Sequence, residues 1–132
     1  MKLKAKESGL NFNLEKIKKT PNTVLSHLLI NLSKQFNLQN EIIEKIYKSY
    51  FIDGLDIGDV KILINIAKEN NIPENVFTNF INDRNTENIN SKILIAKEKG
   101  INGVPFFEIG KDFISGSQSS IQLENVIKSN IN

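Results

Sequence analysis

Only one stretch of this 132-residue chain has the pattern of β-strands, and it follows Gly100. Residues 104–109 are rich in β-branched and aromatic side chains, and after a turn at Gly110 residues 113–115 complete a hairpin signal. An isolated hairpin is marginal in water and leaves edge N–H and C=O groups unpaired. The sequence therefore leaves two alternatives open. Strands from a second copy or from a different polypeptide complete the sheet, or the hairpin packs one face on the helices.

Elsewhere the apolar residues recur at helical spacing, which predicts five helices before the hairpin and one after it. Asp59 is the predicted cap of the third helix, and Ser119 with Gln122 forms a capping box for the last. Gly100 is expected to end the fifth helix. The predicted helices cover about residues 20–36, 39–52, 73–81, 86–99 and 119–131, and the third helix follows Asp59 with an apolar face at residues 60, 63, 64 and 67. The expected apolar faces include Phe36 on the first helix and Tyr47 on the second.

The absence of cysteine is the strongest chemical constraint in the composition. It excludes a disulfide, a thiolate metal site, a CxxC redox pair and a cysteine nucleophile within this chain. The 17 basic and 15 acidic residues are mixed, and Arg84 is the single arginine, so no dense basic face for nucleic acid is predicted.

No cofactor, metal or catalytic residue is predicted from the remaining polar residues. His27 is the single histidine and lacks a nucleophile partner, so a structural role is favoured over catalysis. Asp53, Asp56 and Asp59 form an acidic turn without the glycine and terminal glutamate of an EF-hand, and helix capping is the better interpretation.

The hydropathy pattern contains no apolar run of membrane-spanning length, because Lys, Asn and Asp interrupt each hydrophobic stretch. Residues 1–19 are basic but have neither an apolar h-region nor a small-residue cleavage site. We therefore expect a cytoplasmic chain that does not enter a membrane.

Two groups of motifs together resemble the DsbA family of thioredoxin-like proteins, and in particular its FrnE-like branch. Those that resemble the family's C-terminal signature are Gly103-Val104-Pro105-Phe106-Phe107, Gly110 and Ser115-Gly116-Ser117-Gln118. Those that are similar to the helical insertion of the branch are Pro21-Asn22-Thr23 with His27, and Tyr50-Phe51 with Gly54 and Asp56-Ile57-Gly58-Asp59. The resemblance covers the chain from about Leu10 onward, in the family's order.

The resemblance implies an α/β thioredoxin-like fold that is mostly helical. Residues 1–19 would be a basic segment left from a connecting helix and linker, residues 20–99 a helical insertion subdomain, and residues 100–132 the C-terminal ββα half of a thioredoxin fold. The family's opening strand, its CxxC-bearing helix and its next strand would lie upstream of this region. The resemblance then implies a truncated gene product, a split protein whose other half is a separate chain, or a deliberately trimmed protein.

The same resemblance implies where a substrate would bind. The Val104–Pro105 bond is typically cis in the family, and Val104 would offer backbone groups to a peptide or protein substrate. Ser117 and Gln118 occupy the segment that helps to hold glutathione in related kappa-class transferases; capping of the last helix is the alternative interpretation.

Two hypotheses about function follow from these observations. The chain is either part of a thiol-disulfide oxidoreductase that is inactive alone, with the CxxC half supplied by a separate chain or lost, or a non-catalytic module. Such a module would bind a peptide or a partner through the Val104–Pro105 loop and the sheet edge. Exposed strand edges also predict self-association.

Overall fold

The computed structural model describes residues 2–83 and 85–131. Five consecutive helices, a two-stranded antiparallel sheet and a final helix appear in the predicted order, which confirms the mostly helical α/β composition. The periodicity of apolar residues did not predict the short first helix. The elements are α1 Lys2–Glu7, α2 Val24–Ser33, α3 Gln39–Phe51, α4 Val60–Glu69, α5 Glu74–Asn82, α6 Asn85–Glu98, β1 Phe106–Ile109, β2 Asp112–Ser115 and α7 Ser120–Ile131, with 3-10 turns at Leu14–Lys16 and Lys34–Phe36.

Local side-chain hydrogen bonds fix where the helices begin. The Asp59 carboxylate accepts a hydrogen bond from the Lys61 N–H at 2.8 Å, which confirms it as the cap of α4. At α7 the Gln122 N–H donates to Ser119 Oγ at 3.3 Å, and the Ser119 N–H donates to Gln122 Oε1 at 3.1 Å. These two bonds form the predicted capping box.

Helix α2 begins later than the sequence predicted. Its first residue is Val24, whose N–H donates to Asn22 Oδ1 at 3.0 Å. An Asx side chain bonded to the backbone two residues on forms a turn, so residues 20–23 lead into the helix without belonging to it.

The chain forms two compact units, the first ending at Asn90 and the second beginning at Ser91. In the first unit, α2, α3, α4 and α5 pack around one apolar core. Its fully buried large side chains are Leu28, Leu29, Leu32, Ile42, Leu63, Ile72 and Phe77. The helical spacing of six of these residues brings them onto the inner faces of four neighbouring helices, and Ile72 packs on the same core from the turn between α4 and α5.

Two aromatic residues predicted on inner helix faces are exposed instead. Phe36 is 38% exposed because it lies in a 3-10 turn after α2, where the left-handed Asn37 changes the chain direction. Tyr47 is 61% exposed because Ile42 and Ile46 define the buried stripe of α3, and its ring lies 6.1 Å from that of Phe51 at the surface.

The segment between α3 and α4 is held against the N-terminal part of the chain. Gly54 has φ +69°, and a Cβ there would lie 2.7 Å from the Lys16 carbonyl oxygen. A Cβ on Gly58 would lie 2.8 Å from the Asn22 carbonyl oxygen. Both positions therefore require glycine because the two chain segments approach so closely.

Asp56 forms the polar link in this segment. Its Oδ1 accepts a hydrogen bond from the Gly58 N–H at 2.9 Å, and its Oδ2 lies 2.7 Å from Lys19 Nζ. The hydrogen bond from Lys19, helped by that from Gly58, holds the pKa of Asp56 below its ordinary value. In the described ranges, no group of three or more His, Cys, Asp or Glu side chains could hold a metal ion.

The second unit contains the hairpin and α7. Phe106 pairs with Ser115 and Ile109 with Asp112, and α7 lies against β1. No described residue of this unit is buried. Its large exposed apolar side chains are Ile93, Leu94, Ile95, Val104, Phe113, Ile121, Ile127 and Ile131. This unit therefore lacks an apolar core of its own.

No helix within residues 2–83 or 85–131 combines the length and the apolar character needed to cross a bilayer.

Candidate substrate-binding loop

The loop before β1 begins where glycine ends α6. Gly100 has φ +80°, its N–H donates to the Lys97 carbonyl at 2.9 Å, and the Ile101 N–H donates to the Ala96 carbonyl at 3.0 Å. These are the two hydrogen bonds of a Schellman motif, which releases the chain from the helix direction. Gly100 therefore ends α6 as predicted.

Val104 is the most exposed large apolar residue at this loop. Its side chain is 90% exposed, and the peptide bond that joins it to Pro105 is cis. No hydrogen bond joins the N–H or C=O of Val104 to another residue in the described part of the chain. Two backbone groups beside the start of a strand are thus available to an extended peptide.

A backbone hydrogen bond brings the loop next to the segment after β2. The Gly116 N–H donates to the Pro105 carbonyl at 2.8 Å, directly beyond the Phe106–Ser115 pair. Gly116 has φ +87°, a conformation that glycine adopts without strain. The predicted residues Pro105 and Ser117 consequently lie on connections at the same end of the hairpin.

Ser117 and Gln118 have few internal contacts. The amide of Gln118 makes one long hydrogen bond, from Nε2 to the Ser115 carbonyl at 3.5 Å. The Ser117 side chain is exposed and has no hydrogen bond to another described residue. The N-terminal hydrogen bonds of α7 are made by Ser119 and Gln122, so capping does not occupy Ser117 or Gln118.

An aromatic pair lies on the outer face of the hairpin, and the sequence reasoning did not treat it as part of a site. Phe106 and Phe113 lie on the same face of the sheet, and their ring centroids are 6.0 Å apart. Phe113 is 63% exposed. The strict alternation of a strand could have indicated this face, because Phe106 and Glu108 alternate with Phe107 and Ile109.

His27 lies elsewhere, on α2 in the first unit, where its side chain is exposed. No ion pair or hydrogen bond joins its ring to a described residue.

The family description "DSBA-like thioredoxin domain" matches residues 1–128. The chain belongs to the DSBA-like thioredoxin domain family. The resemblance carried by the Val-Pro loop and the helical motifs is thereby confirmed at the level of this family.

One relative of this DSBA-like domain is the uncharacterized protein YwbO of Bacillus subtilis (strain 168). The two sequences are 25% identical over 125 residues, which are 93% of this chain and 62% of the relative. The chain thus spans about three-fifths of the length of the curated relative it matches.

The DSBA-like family is one of thiol-disulfide oxidoreductase-like proteins. The 132 residues of this member contain no cysteine, so they supply no thiol for such a reaction.

Proposed function

We propose that this chain is the helical and substrate-binding part of a thiol-disulfide oxidoreductase whose reactive dithiol resides in polypeptide that these 132 residues do not include. The observation that carries the proposal is made on the second unit, whose hairpin has two edges that pair with no other described strand and whose described residues are all at least partly exposed. A DSBA-like region with this surface is suited to pack against further strands.

The exposed apolar side chains of the second unit supply the driving force for this association. Burying one large apolar side chain contributes about 1.5–3 kcal/mol. Phe113 and Ile127 are 63% and 45% exposed, so a partner that covers them removes considerable apolar surface from water. A βαβ segment could also pair with a hairpin edge through backbone hydrogen bonds.

In this proposal the partner supplies the two reacting thiols, and this chain holds the substrate. A thiolate of the partner attacks one sulfur of a substrate disulfide, forms a mixed disulfide and releases the other sulfur as a thiolate. The partner's second thiol, after losing its proton, then displaces the first substrate sulfur, so that the substrate is reduced and the dithiol is oxidised. The backbone of Val104 would hold the substrate peptide in extended form beside the reacting sulfurs.

An insulin-reduction assay with dithiothreitol as reductant tests this function. The purified chain alone should not accelerate the reaction above the rate with dithiothreitol. A complex of the chain with its dithiol-bearing partner should accelerate it, and the Phe113→Lys substitution should prevent complex formation. Lys61→Glu, on the exposed surface of α4, is the charge-changing control. A partner complex that remains inactive would count against the oxidoreductase role.

The cysteine-free sequence allows a second, more direct test. The Val104→Cys variant carries one thiol at the candidate loop, and Lys61→Cys carries one on the surface of α4. In an oxidising extract of the native host, only the Val104→Cys chain should form a disulfide-linked adduct whose other component contains a CxxC motif. An adduct formed equally by both variants would contradict the assignment.

The alternative function is a non-catalytic module that binds a peptide through the Val104–Pro105 loop and the hairpin edge. The exposure of Val104 and its unpaired backbone groups favour this alternative as much as they favour the oxidoreductase role. It predicts a defined bound peptide with no reductase activity in any complex. The insulin assay therefore separates the two functions.

A further inference from the structure

Two adjoining depressions lie on the C-terminal half of α3, far along the chain from the Val104–Pro105 loop. A cleft of about 320 Å³ lies between α3 and α4, and a groove of about 370 Å³ lies between α3 and the segment at Leu10 and Phe12. Lys48 lines both of them. This position follows from helix geometry, because residue 48 is a neighbour of residues 44, 45, 51 and 52 on the α3 surface.

One wall of the cleft carries a serine hydroxyl that has no hydrogen-bond partner among the described residues. Three serines are buried among the described residues, and of these Ser26 donates to the Ile57 carbonyl at 2.5 Å and Ser33 to the Ile30 carbonyl at 2.7 Å. Ser49 is 8% exposed and lines the cleft, but no hydrogen bond joins its hydroxyl to another described residue. Every fully enclosed polar side-chain atom of the described residues has a hydrogen-bond partner, so the unpaired hydroxyl of Ser49 is open to the cleft and can bind a ligand or solvent there.

The charges around the cleft are of both signs. Lys45 Nζ lies 3.5 Å from Glu69 Oε2, so these two charges neutralise each other. Lys48 and Asp53 also line the cleft, and neither forms an ion pair with a described residue. A ligand that carries one positive and one negative group complements such a pair, whereas a simple anion or cation would leave one of the two unmatched.

The groove beside the cleft is aromatic. The rings of Phe12 and Phe51 are stacked with their centroids 4.5 Å apart, and Tyr47 lies along the same wall with 61% of its surface exposed. Leu10, at the other side, is 50% exposed. Aromatic rings favour offset-stacked or edge-to-face contact with another ring, and this groove presents both faces and edges.

We propose that the groove and cleft together bind a free aromatic α-amino acid. The ring of the ligand occupies the groove beside Tyr47 and Phe51. Its carboxylate accepts hydrogen bonds from Lys48 and Ser49, and its ammonium group donates to Asp53. The shared position of Lys48 joins the apolar and the polar part of the site, as a ligand with a ring close to a zwitterionic head requires.

Isothermal titration calorimetry of the intact chain with L-phenylalanine tests the site. We expect saturable 1:1 binding. Three analogues each remove one recognised group: 3-phenylpropanoate lacks the ammonium group, 2-phenylethylamine lacks the carboxylate, and alanine lacks the ring. Because a charge-assisted hydrogen bond contributes roughly tenfold or more to affinity, each analogue should bind at least about tenfold more weakly.

Variants locate the binding on α3. Lys48→Gln and Ser49→Ala should each weaken phenylalanine binding by about tenfold, while circular dichroism shows the same helix content and Tm within a few degrees. Lys61→Gln, on the surface of α4 and outside both depressions, should bind like the parent chain. Absence of saturable binding would overturn the proposal, as would analogues that bind as tightly as phenylalanine or equal effects of Lys48→Gln and Lys61→Gln.

Discussion

Asn130 occupies the space that a side chain at residue 110 would need. A Cβ on Gly110 would collide with the carboxamide of Asn130, which lies over the hairpin turn. From α7, Asn130 Oδ1 accepts a hydrogen bond from the Lys111 N–H at 3.2 Å, and its Nδ2 donates to Asp112 Oδ2 at 2.8 Å. One side chain of the last helix thus holds the turn of the hairpin.

This relationship predicts non-additive effects of two substitutions. Asn130→Ala removes the hydrogen bonds to the turn, so we expect the hairpin to lose about 1–2 kcal/mol of local stability. Gly110→Ala should lower the stability of the hairpin more in the parent chain than in the Asn130→Ala background, because Asn130→Ala removes the carboxamide with which the new Cβ collides. Amide hydrogen exchange of β1 and β2 measures both effects.

Asn125 supplies the control for that cycle. It is exposed on the same helix, and its side chain has no hydrogen bond to a described residue. Asn125→Ala should therefore leave hairpin exchange unchanged. Additive effects of Gly110→Ala and Asn130→Ala would show that the contact does not hold the turn.

Most of the secondary structure was predictable because its signals are local. The periodicity of Leu28, Leu29 and Leu32 gave α2, and the cap residues Asp59 and Ser119 located two helix starts. The role of Asn130 was not predictable in this way. It depends on contact between residues nearly twenty positions apart, which no local pattern encodes.

The candidate sites were predictable to different degrees. The Val104–Pro105 loop carries a recognisable motif, so the sequence indicated it directly. The cleft on α3 gave no such signal, because Ser49 is an ordinary helix residue until the packing of α4 buries it. Tyr47 likewise fits an apolar helix face, and only the packing of α3 through Ile42 and Ile46 leaves it at the surface.

Asp56 should make the stability of the first unit sensitive to acid. Its folded-state pKa is lowered, chiefly by Lys19, so the ionised form stabilises the folded chain above the ordinary aspartate pKa. That stabilisation is lost as the pH falls from about 4 through the lower folded-state pKa. Thermal unfolding should show a smaller decrease of Tm between pH 5 and pH 3 for Asp56→Asn than for the parent chain.

Asp83→Asn provides the matched control for the acid dependence. Asp83 is exposed and forms no ion pair with a described residue, so its replacement should leave the parent pH dependence in place. If Asp56→Asn and Asp83→Asn follow the same curve as the parent, the Lys19–Asp56 pair does not contribute to stability in solution.

Replacing three glycines of the first unit one at a time should distinguish the destabilisation caused by backbone strain from that caused by steric contact. Gly9 has φ +76° with open space around it, Gly58 has a close contact without positive φ, and Gly54 has both. Replacement by alanine at a left-handed position costs about 1–2 kcal/mol, and the close approach to the Lys16 backbone adds to this at Gly54. We therefore expect Gly54→Ala to lower the Tm more than Gly9→Ala or Gly58→Ala. An equal or smaller effect of Gly54→Ala would contradict the close approach of the two segments.

Phe77 and Phe113 should differ in how much they contribute to the stability of the isolated chain. Phe77 is fully buried in the first unit, so Phe77→Ala should cost about 3–5 kcal/mol of unfolding free energy through lost burial and the cavity that remains. Phe113 is 63% exposed, and Phe113→Ala should change the stability of the isolated chain by less than about 1 kcal/mol.

Phe113→Ala, which should have little effect on the isolated chain, should have a large effect on the association with a partner. In sedimentation-velocity experiments with a partner that completes the sheet, Phe113→Ala should weaken the complex by more than about tenfold, because its ring would be buried there. Chemical denaturation of the isolated chains measures the stability difference. A Phe113→Ala chain as unstable as Phe77→Ala would mean that Phe113 already belongs to a packed core, and the second unit would then need no partner to cover it.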